Sequence, residues 1–261
     1  MNKLDLLIKQ SREMKTIIGQ RAWTSIKLGQ VYLSPREIEP ALSRFGQNLA
    51  RYTHDERYEI QLIGSATGLS FGDNKYLFAT HHQVTNLDPS DIGVIDHDSN
   101  SIISSAGFSF FPEKSDSDAQ DFCAFDFSSQ SISHSHLSKR FFDLTKNPCI
   151  SDEDNIIIYL AYGCAFAEQR YEVDEKNSVA NVIRSMLCKP DGTPNDPALR
   201  RAKLYENLEF DPDGISGGPV FAICLEHTEP VLKFAGIINR AGEQIIHFIK
   251  AHLIFDLLKK I

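Results

Sequence analysis

The segment Asp213-Gly214-Ile215-Ser216-Gly217-Gly218-Pro219-Val220 sets a serine among glycines. Glycine reaches φ values closed to other residues and lets a substrate come close to the backbone. Backbone N–H groups in such a loop can point inward together and stabilise an oxyanion. The same composition also suits a plain turn ahead of the apolar run Pro219–Cys224. A second segment is Tyr76-Leu77-Phe78-Ala79-Thr80-His81-His82-Gln83-Val84, an apolar strand that runs into two histidines. They read either as solvated imidazoles at a strand end or, more weakly, as metal ligands. Adjacent strand residues point to opposite faces, and no His-Glu-x-x-His or Cys-x-x-Cys pattern accompanies them. The third segment is Asp121-Phe122-Cys123-Ala124-Phe125-Asp126-Phe127. A carboxylate opening so apolar a strand is either an edge residue or partly buried, and a buried one must find a donor such as a histidine N–H.

Taken together, these segments resemble the trypsin-like (chymotrypsin-fold) serine peptidases. That family is marked by a Thr-Ala-Ala-His or Thr-Asn-His-His segment, an Asp-x-Ala-x-Leu strand and a Gly-x-Ser-Gly-Gly-Pro loop. The counterparts are Ala79-Thr80-His81-His82, Asp121-Phe122-Cys123-Ala124-Phe125 and Gly214-Ile215-Ser216-Gly217-Gly218-Pro219. Their order, His then Asp then Ser, differs from that of subtilisins and α/β-hydrolases. Gly64-Ser65-Ala66-Thr67-Gly68-Leu69-Ser70 is similar to the family's strand before the histidine, and Phe234-Ala235-Gly236-Ile237-Ile238 to its substrate-lining strand. The likeness spans roughly residues 58 to 261.

The resemblance implies that Ser216 attacks a carbonyl, that His82 takes its proton and that Asp121 holds the imidazole in one tautomer. His81 stays open as the alternative base, and Asp126, Asp118 and Asp116 as alternative acids. The N–H groups of Gly214 and Ser216 are the implied oxyanion hole, and Phe210 and Gly236 the implied substrate-binding residues. The implied activity is that of an endopeptidase on protein or peptide substrates, with no cofactor and no metal. A catalytically silent module of the same fold, used for binding or sensing, is the alternative. Ile215 stands where secreted members carry an acidic residue that pairs with a new N-terminus after zymogen cleavage. That departure fits bacterial or intracellular members better. Phe210 occupies the usual pocket-floor position and Asp211 follows it, so no P1 preference is assigned.

These residues need a scaffold. From about Arg57 onward, short apolar or alternating runs follow one another between Gly, Asp, Asn, Ser and Pro, which predicts a sandwich or barrel. Predicted strands are 58–64, 66–71, 75–79, 92–95, 101–110, 121–127, 156–162, 179–188, 219–224 and 231–238. With the resemblance, the expected fold is mostly β: two six-stranded antiparallel β-barrels of the chymotrypsin type, over about 56–135 and 150–240. Residues 1–55 are expected as a helical extension and 56–261 as the peptidase domain. One N-terminal helix would bury Leu4, Leu7, Ile8, Met14 and Ile18. Another would start at Ser34-Pro35 with Glu37 closing a capping box, and would bury Ile38, Leu42, Phe45 and Leu49 against the strain of Pro40. A C-terminal helix is expected over 243–260, on the stripe Ile246, Ile249, Leu253 and Leu257.

Composition narrows the partners. The 261 residues carry a formal net charge of −8 with no basic block, which argues against nucleic acid. No apolar run has the length of a membrane span. The five cysteines lack metal-type spacing and sit mostly in apolar runs, so they read as buried thiols in a reducing compartment. With no secretory h-region at the N-terminus, a cytoplasmic location is expected, and a regulatory partner is expected at the N-terminal helices.

Overall fold

The computed structural model describes residues 25–56, 59–96, 101–110, 117–172, 178–180, 182–227, 229–242 and 244–261. The chain runs β1 (Ile26–Leu28), β2 (Val31–Leu33), α1 (Pro35–Ser43), β3 (Gly46–Tyr52), β4 (Ile60–Phe71), β5 (Asn74–Ala79), β6 (Ile92–Asp96), β7 (Ser101–Ser104), β8 (Gly107–Phe110) and β9 (Cys123–Asp126). It continues through α2 (Ser128–Ser133), β10 (Phe142–Asp143), β11 (Ile156–Gly163), β12 (Arg170–Glu172), β13 (Ser178–Ala180), β14 (Arg184–Pro190), β15 (Leu199–Leu204), β16 (Pro219–Glu226), β17 (Glu229–Ala241), β18 (Ile245–Lys250) and α3 (Ala251–Leu258). The protein is thus mostly β with few helices.

The first sheet, in the order β7-β6-β3-β4-β5-β9-β8, curls into a half-barrel. In the second, β16-β11-β14-β15-β18-β17 close into a six-stranded barrel because β16 also pairs with β17, and β1 and β2 extend that sheet from β17. One core cluster joins the two: Phe78 and Phe122 of the half-barrel side lie with Phe45, Phe142, Phe221 and Phe234. Phe142 meets Phe45 edge-on at 5.2 Å and Phe221 at 5.1 Å. Each such ring contributes about 1.5–3 kcal/mol by leaving water, so the aromatic seam fixes the barrels, and the loops between them, in one relative pose.

Several sequence expectations change here. The helix at Ser34 forms: Ser34 N and Oγ both donate to Glu37 Oε2, at 3.0 and 2.9 Å, and Ile38 and Leu42 are buried. It ends at Ser43, however, and Leu49 belongs to β3, which bonds to β4 on one side and β6 on the other. Two sets of ladder hydrogen bonds and burial on both faces outweigh the helical spacing of Phe45 and Leu49. The boundary expected at residue 55 therefore falls after a strand of the half-barrel. The helix predicted over Leu4–Ile18 lies outside the described residues, and an extension built of helices is not what residues 25–55 form. At the other end, 245–250 is β18 and only 251–258 is helical. Runs 58–64 and 66–71 merge into β4, while 101–110 divides into β7 and β8. β15, reading Leu-Arg-Arg-Ala-Lys-Leu, was hidden by its cations, yet Leu199, Ala202 and Leu204 face the core. Among the described residues no helix is long and apolar enough to cross a membrane.

Candidate active site

The loop 213–218 leaves β15 behind and leads into β16. Its backbone carbonyls are all engaged. Asp213 O accepts from Phe166 N at 2.8 Å, Gly214 O from Ser65 Oγ at 2.8 Å and Ile215 O from Gly218 N at 3.1 Å. Ser216 O accepts from Gln83 Nε2 at 2.8 Å, Gly217 O from Thr67 Oγ1 at 2.7 Å and Gly218 O from Ile238 N at 2.8 Å. Three of these donors, Ser65, Thr67 and Gln83, come from the half-barrel, so the loop of one barrel is pinned by the other. Ser65 Oγ is itself fixed by Cys164 N at 2.7 Å.

Pinning the carbonyls aims the amides. In a trans peptide the N–H points opposite to the C=O. With Asp213 O turned toward Phe166 and Ile215 O toward Gly218, the N–H groups of Gly214 and Ser216 face the other way. Ile215 N donates to Pro212 O at 3.2 Å, and Gly214 has φ +93°. That is the third position of a type II turn, where a positive φ is required and glycine supplies it. Ile215 is fully buried among Ala161, Ala165 and Val220, so apolar packing anchors the residue before the serine.

The histidine strand arrives from the half-barrel. β5 ends at Ala79, and Thr80 caps a short 3-10 turn over His81–Gln83. Within it, Gln83 Oε1 accepts from Thr80 N at 3.1 Å and Thr80 Oγ1 at 2.7 Å, which sets the Gln83 amide for its bond to Ser216 O. His82 is the histidine that meets the acid: its Nδ1 lies 2.7 Å from Asp121 Oδ2, and its backbone N–H donates to Asp121 Oδ1 at 2.9 Å. His81 turns aside and stacks on Phe110 at 5.2 Å. Asp118 instead pairs with Arg240 at 3.0 Å, and Asp126 accepts from Ser128 N at 2.8 Å. Asp116 lies outside the described residues.

Asn239, near the end of β17 and only 3% exposed, joins the two halves. Its Nδ2 donates to Asp121 Oδ2 at 2.7 Å, and its carbonyl accepts from Ser216 Oγ at 2.9 Å. Ser216 Oγ therefore rests on Asn239 O, while His82 Nε2 lies 3.4 Å from Thr80 Oγ1. The structure brings His82, Asp121 and Ser216 into one cluster in which a single residue links serine and acid.

The two residues expected to bind substrate are placed elsewhere. Gly236 pairs with Val220 and Lys250 inside the closed barrel. With φ +149°, and a Cβ that would sit 1.8 Å from Ile249 O, its glycine serves close strand packing. Phe210 packs on the barrel core under the Arg184 guanidinium, 5.7 Å from its ring centroid. It borders a 240 Å³ cavity with Arg184, Glu206 and Glu209. A larger cavity of 610 Å³ adjoins the loop at Gln83 and Phe166 and is walled by Ile60, Leu62, Ile63 and Leu87. Sequence reading missed Asn239, Gln83, Ser65 and Thr67. All four act through backbone carbonyls or a shared carboxylate, which leave no residue-type signature; the polar residues Ser65 and Thr67, alternating within an apolar strand, were the one visible hint.

This architecture is the chymotrypsin-like fold of the trypsin-like serine proteases. Among solved structures, human heparin binding protein superposes with a TM-score of 0.53 at 8% identity, covering 85% of this chain and 92% of that one. The scabies mite inactivated protease paralogue S-I1 gives 0.51 at 10% identity, with 85% and 97% covered. No protein-family model matches the sequence. No curated protein matches it either. The likeness is therefore one of fold.

Proposed function

We propose that the chain is a serine endopeptidase that works through a Ser216–His82–Asp121 triad and an acyl-enzyme intermediate. The observation that carries this reading is the pinned loop, which aims two backbone N–H groups beside a hydroxyl and a histidine–carboxylate pair. In this reading Ser216 Oγ leaves Asn239 O for His82 Nε2. Oγ then bonds to the scissile carbonyl carbon as its proton passes to Nε2, while Asp121 accepts from Nδ1–H and steadies the imidazolium. The carbonyl oxygen gains the negative charge and takes hydrogen bonds from Gly214 N and Ser216 N, each worth about 3 kcal/mol in the transition state. His82 returns the proton to the leaving nitrogen as the C–N bond breaks, and a water repeats the sequence to release the acid.

The 610 Å³ cavity, lined by four aliphatic residues and Phe166 beside Arg51, Gln61, Gln83 and Gln169, supports a substrate whose side chain there is apolar with a polar end. Five free thiols support the cytoplasm as the working compartment. Burial raises Cys164, next to the loop, to about 12, so it stays a neutral thiol rather than a competing nucleophile.

A second reading, a binding module on the same fold, draws on the Ser216 hydroxyl resting on Asn239. Mass-spectrometric analysis of a mixed peptide library digested by the wild type and by Ser216→Ala separates the two. New peptide ends from the wild type alone, flanked by apolar residues, support the endopeptidase. Equal silence from both, with folded protein, supports the binding module.

A further inference from the structure

A second cluster lies on the half-barrel, where β3 and β4 separate β6 from the strand that carries His82. Asp96, the last residue of β6, is 6% exposed. Its Oδ1 lies 3.0 Å from His136 Nε2. His134 ends α2 and begins the turn closed by Leu137 N on His134 O at 2.9 Å, which brings His136 round beside it. The two rings meet edge to face with centroids 5.9 Å apart. One ligand atom from each of the three residues falls within 4.8 Å of the other two.

We propose that Asp96, His134 and His136 bind a divalent zinc ion. Two imidazoles and one carboxylate are donors that zinc accepts at bond lengths of about 2.0–2.2 Å. Tetrahedral bonds of that length set ligand atoms roughly 3.3–3.6 Å apart. The Asp96–His136 separation needs to open by only a few tenths of an ångström, and His134 needs a side-chain rotation to close on the same point. The Asp96–His136 ion pair and the ring contact of His134 with His136 hold the three side chains together, and one ion would join a ligand atom of each at a common point. The carboxylate is already desolvated, so a cation there regains charge that burial would otherwise penalise. The fourth position is left to water. The ion ties the open end of β6 to the segment after α2, a cross-link that a half-barrel lacking ladder closure gains most from.

The test uses the tag-free full chain, stripped with chelator and titrated with zinc by calorimetry and with cobalt by visible absorption. The wild type should take up a single equivalent, show the d–d bands of a four-coordinate cobalt site and melt higher with zinc than with chelator. His134→Ala with His136→Ala should lose the cobalt bands and bind zinc at least ~10-fold more weakly. Asp96→Asn keeps the side-chain shape and should weaken binding in the same direction, which covers the case in which the double variant fails to fold. Equal zinc uptake by the wild type and Asp96→Asn, or no uptake by the wild type at millimolar zinc, would overturn the proposal.

Discussion

The loop 213–218 that carries Ser216 and the His82–Asp121 pair are built in opposite ways. The loop is held at every carbonyl from Asp213 to Gly218, and three of its donors are side chains of the other barrel. The pair rests on one carboxylate, with the His82 side chain 51% exposed and Asp121 21% exposed. On the proposed reading the Gly214 and Ser216 amides are pre-set before any substrate arrives, whereas the serine–histidine contact is the part that must move. Electrostatic preorganisation is worth most where it costs no reorganisation, and this molecule places its rigidity there.

Four substitutions probe that contrast. The largest effect should come from the lightly held side: Asp121→Asn keeps the geometry but presents the wrong group to Nδ1, and should lower kcat by about 10⁴-fold with little change in KM. Gly217→Ala attacks the rigid side. Its φ is +84° and a Cβ would lie 2.1 Å from Ser65 O, so the loop must shift. A displacement near 1 Å costs roughly 10²-fold, and the melting temperature should fall as well. Removing single pins should matter less. Ser65→Ala or Gln83→Ala each forfeits about 1 kcal/mol of net hydrogen bonding, about a fivefold loss in kcat. If either costs as much as Asp121→Asn, the loop is not redundantly held.

The smallest effect on catalysis, none, is expected from Asp154→Asn in the closed barrel, where Lys233 Nζ lies 2.7 Å away. Burial pushes the Asp154 carboxyl up, but the Lys233 ammonium and the Ser151 N–H outweigh it and hold it below its ordinary 3.8. Lys233 is likewise held above 10.5, against its burial, by Asp154 and Glu226. Asp154's share of stability is present above its ordinary value and lost as pH falls through its lowered one. Lys233's share is present below 10.5 and lost as pH rises through its raised one. Thermal melts should show the variant destabilised by about 2 kcal/mol at neutral pH, with the gap closing in acid.

Part of the candidate site was legible in the sequence because residue type and order carry it: His82 meets Asp121, and the Gly214 turn needs its glycine, whereas Ser216 reaches Asp121 through Asn239 and donates to Asn239 O in place of the expected His82. What escaped was set by pairing. Gly236 reads as a substrate-facing glycine, yet an irregularity in the β16–β17 ladder and close contact with Ile249 of β18 explain it. Phe210 reads as a pocket floor by its distance from the serine, but its ring packs on the core. β3 and β18 both carry apolar spacing that satisfies a helix as well as a buried strand, and only the neighbouring strands decide. Asn239 holds the serine through a backbone oxygen that any residue could offer, and only its side-chain amide, donating to Asp121 Oδ2, depends on residue type.

The central claim is that Ser216 is a nucleophile held in a preformed oxyanion site. Treatment of the folded, full-length protein with a fluorophosphonate at neutral pH, followed by mass-spectrometric mapping, tests it directly. A single covalent adduct on Ser216 is expected, lost in Ser216→Ala and strongly slowed in Asp121→Asn. No adduct on the wild type, or an adduct on any other residue that survives Ser216→Ala, would contradict it.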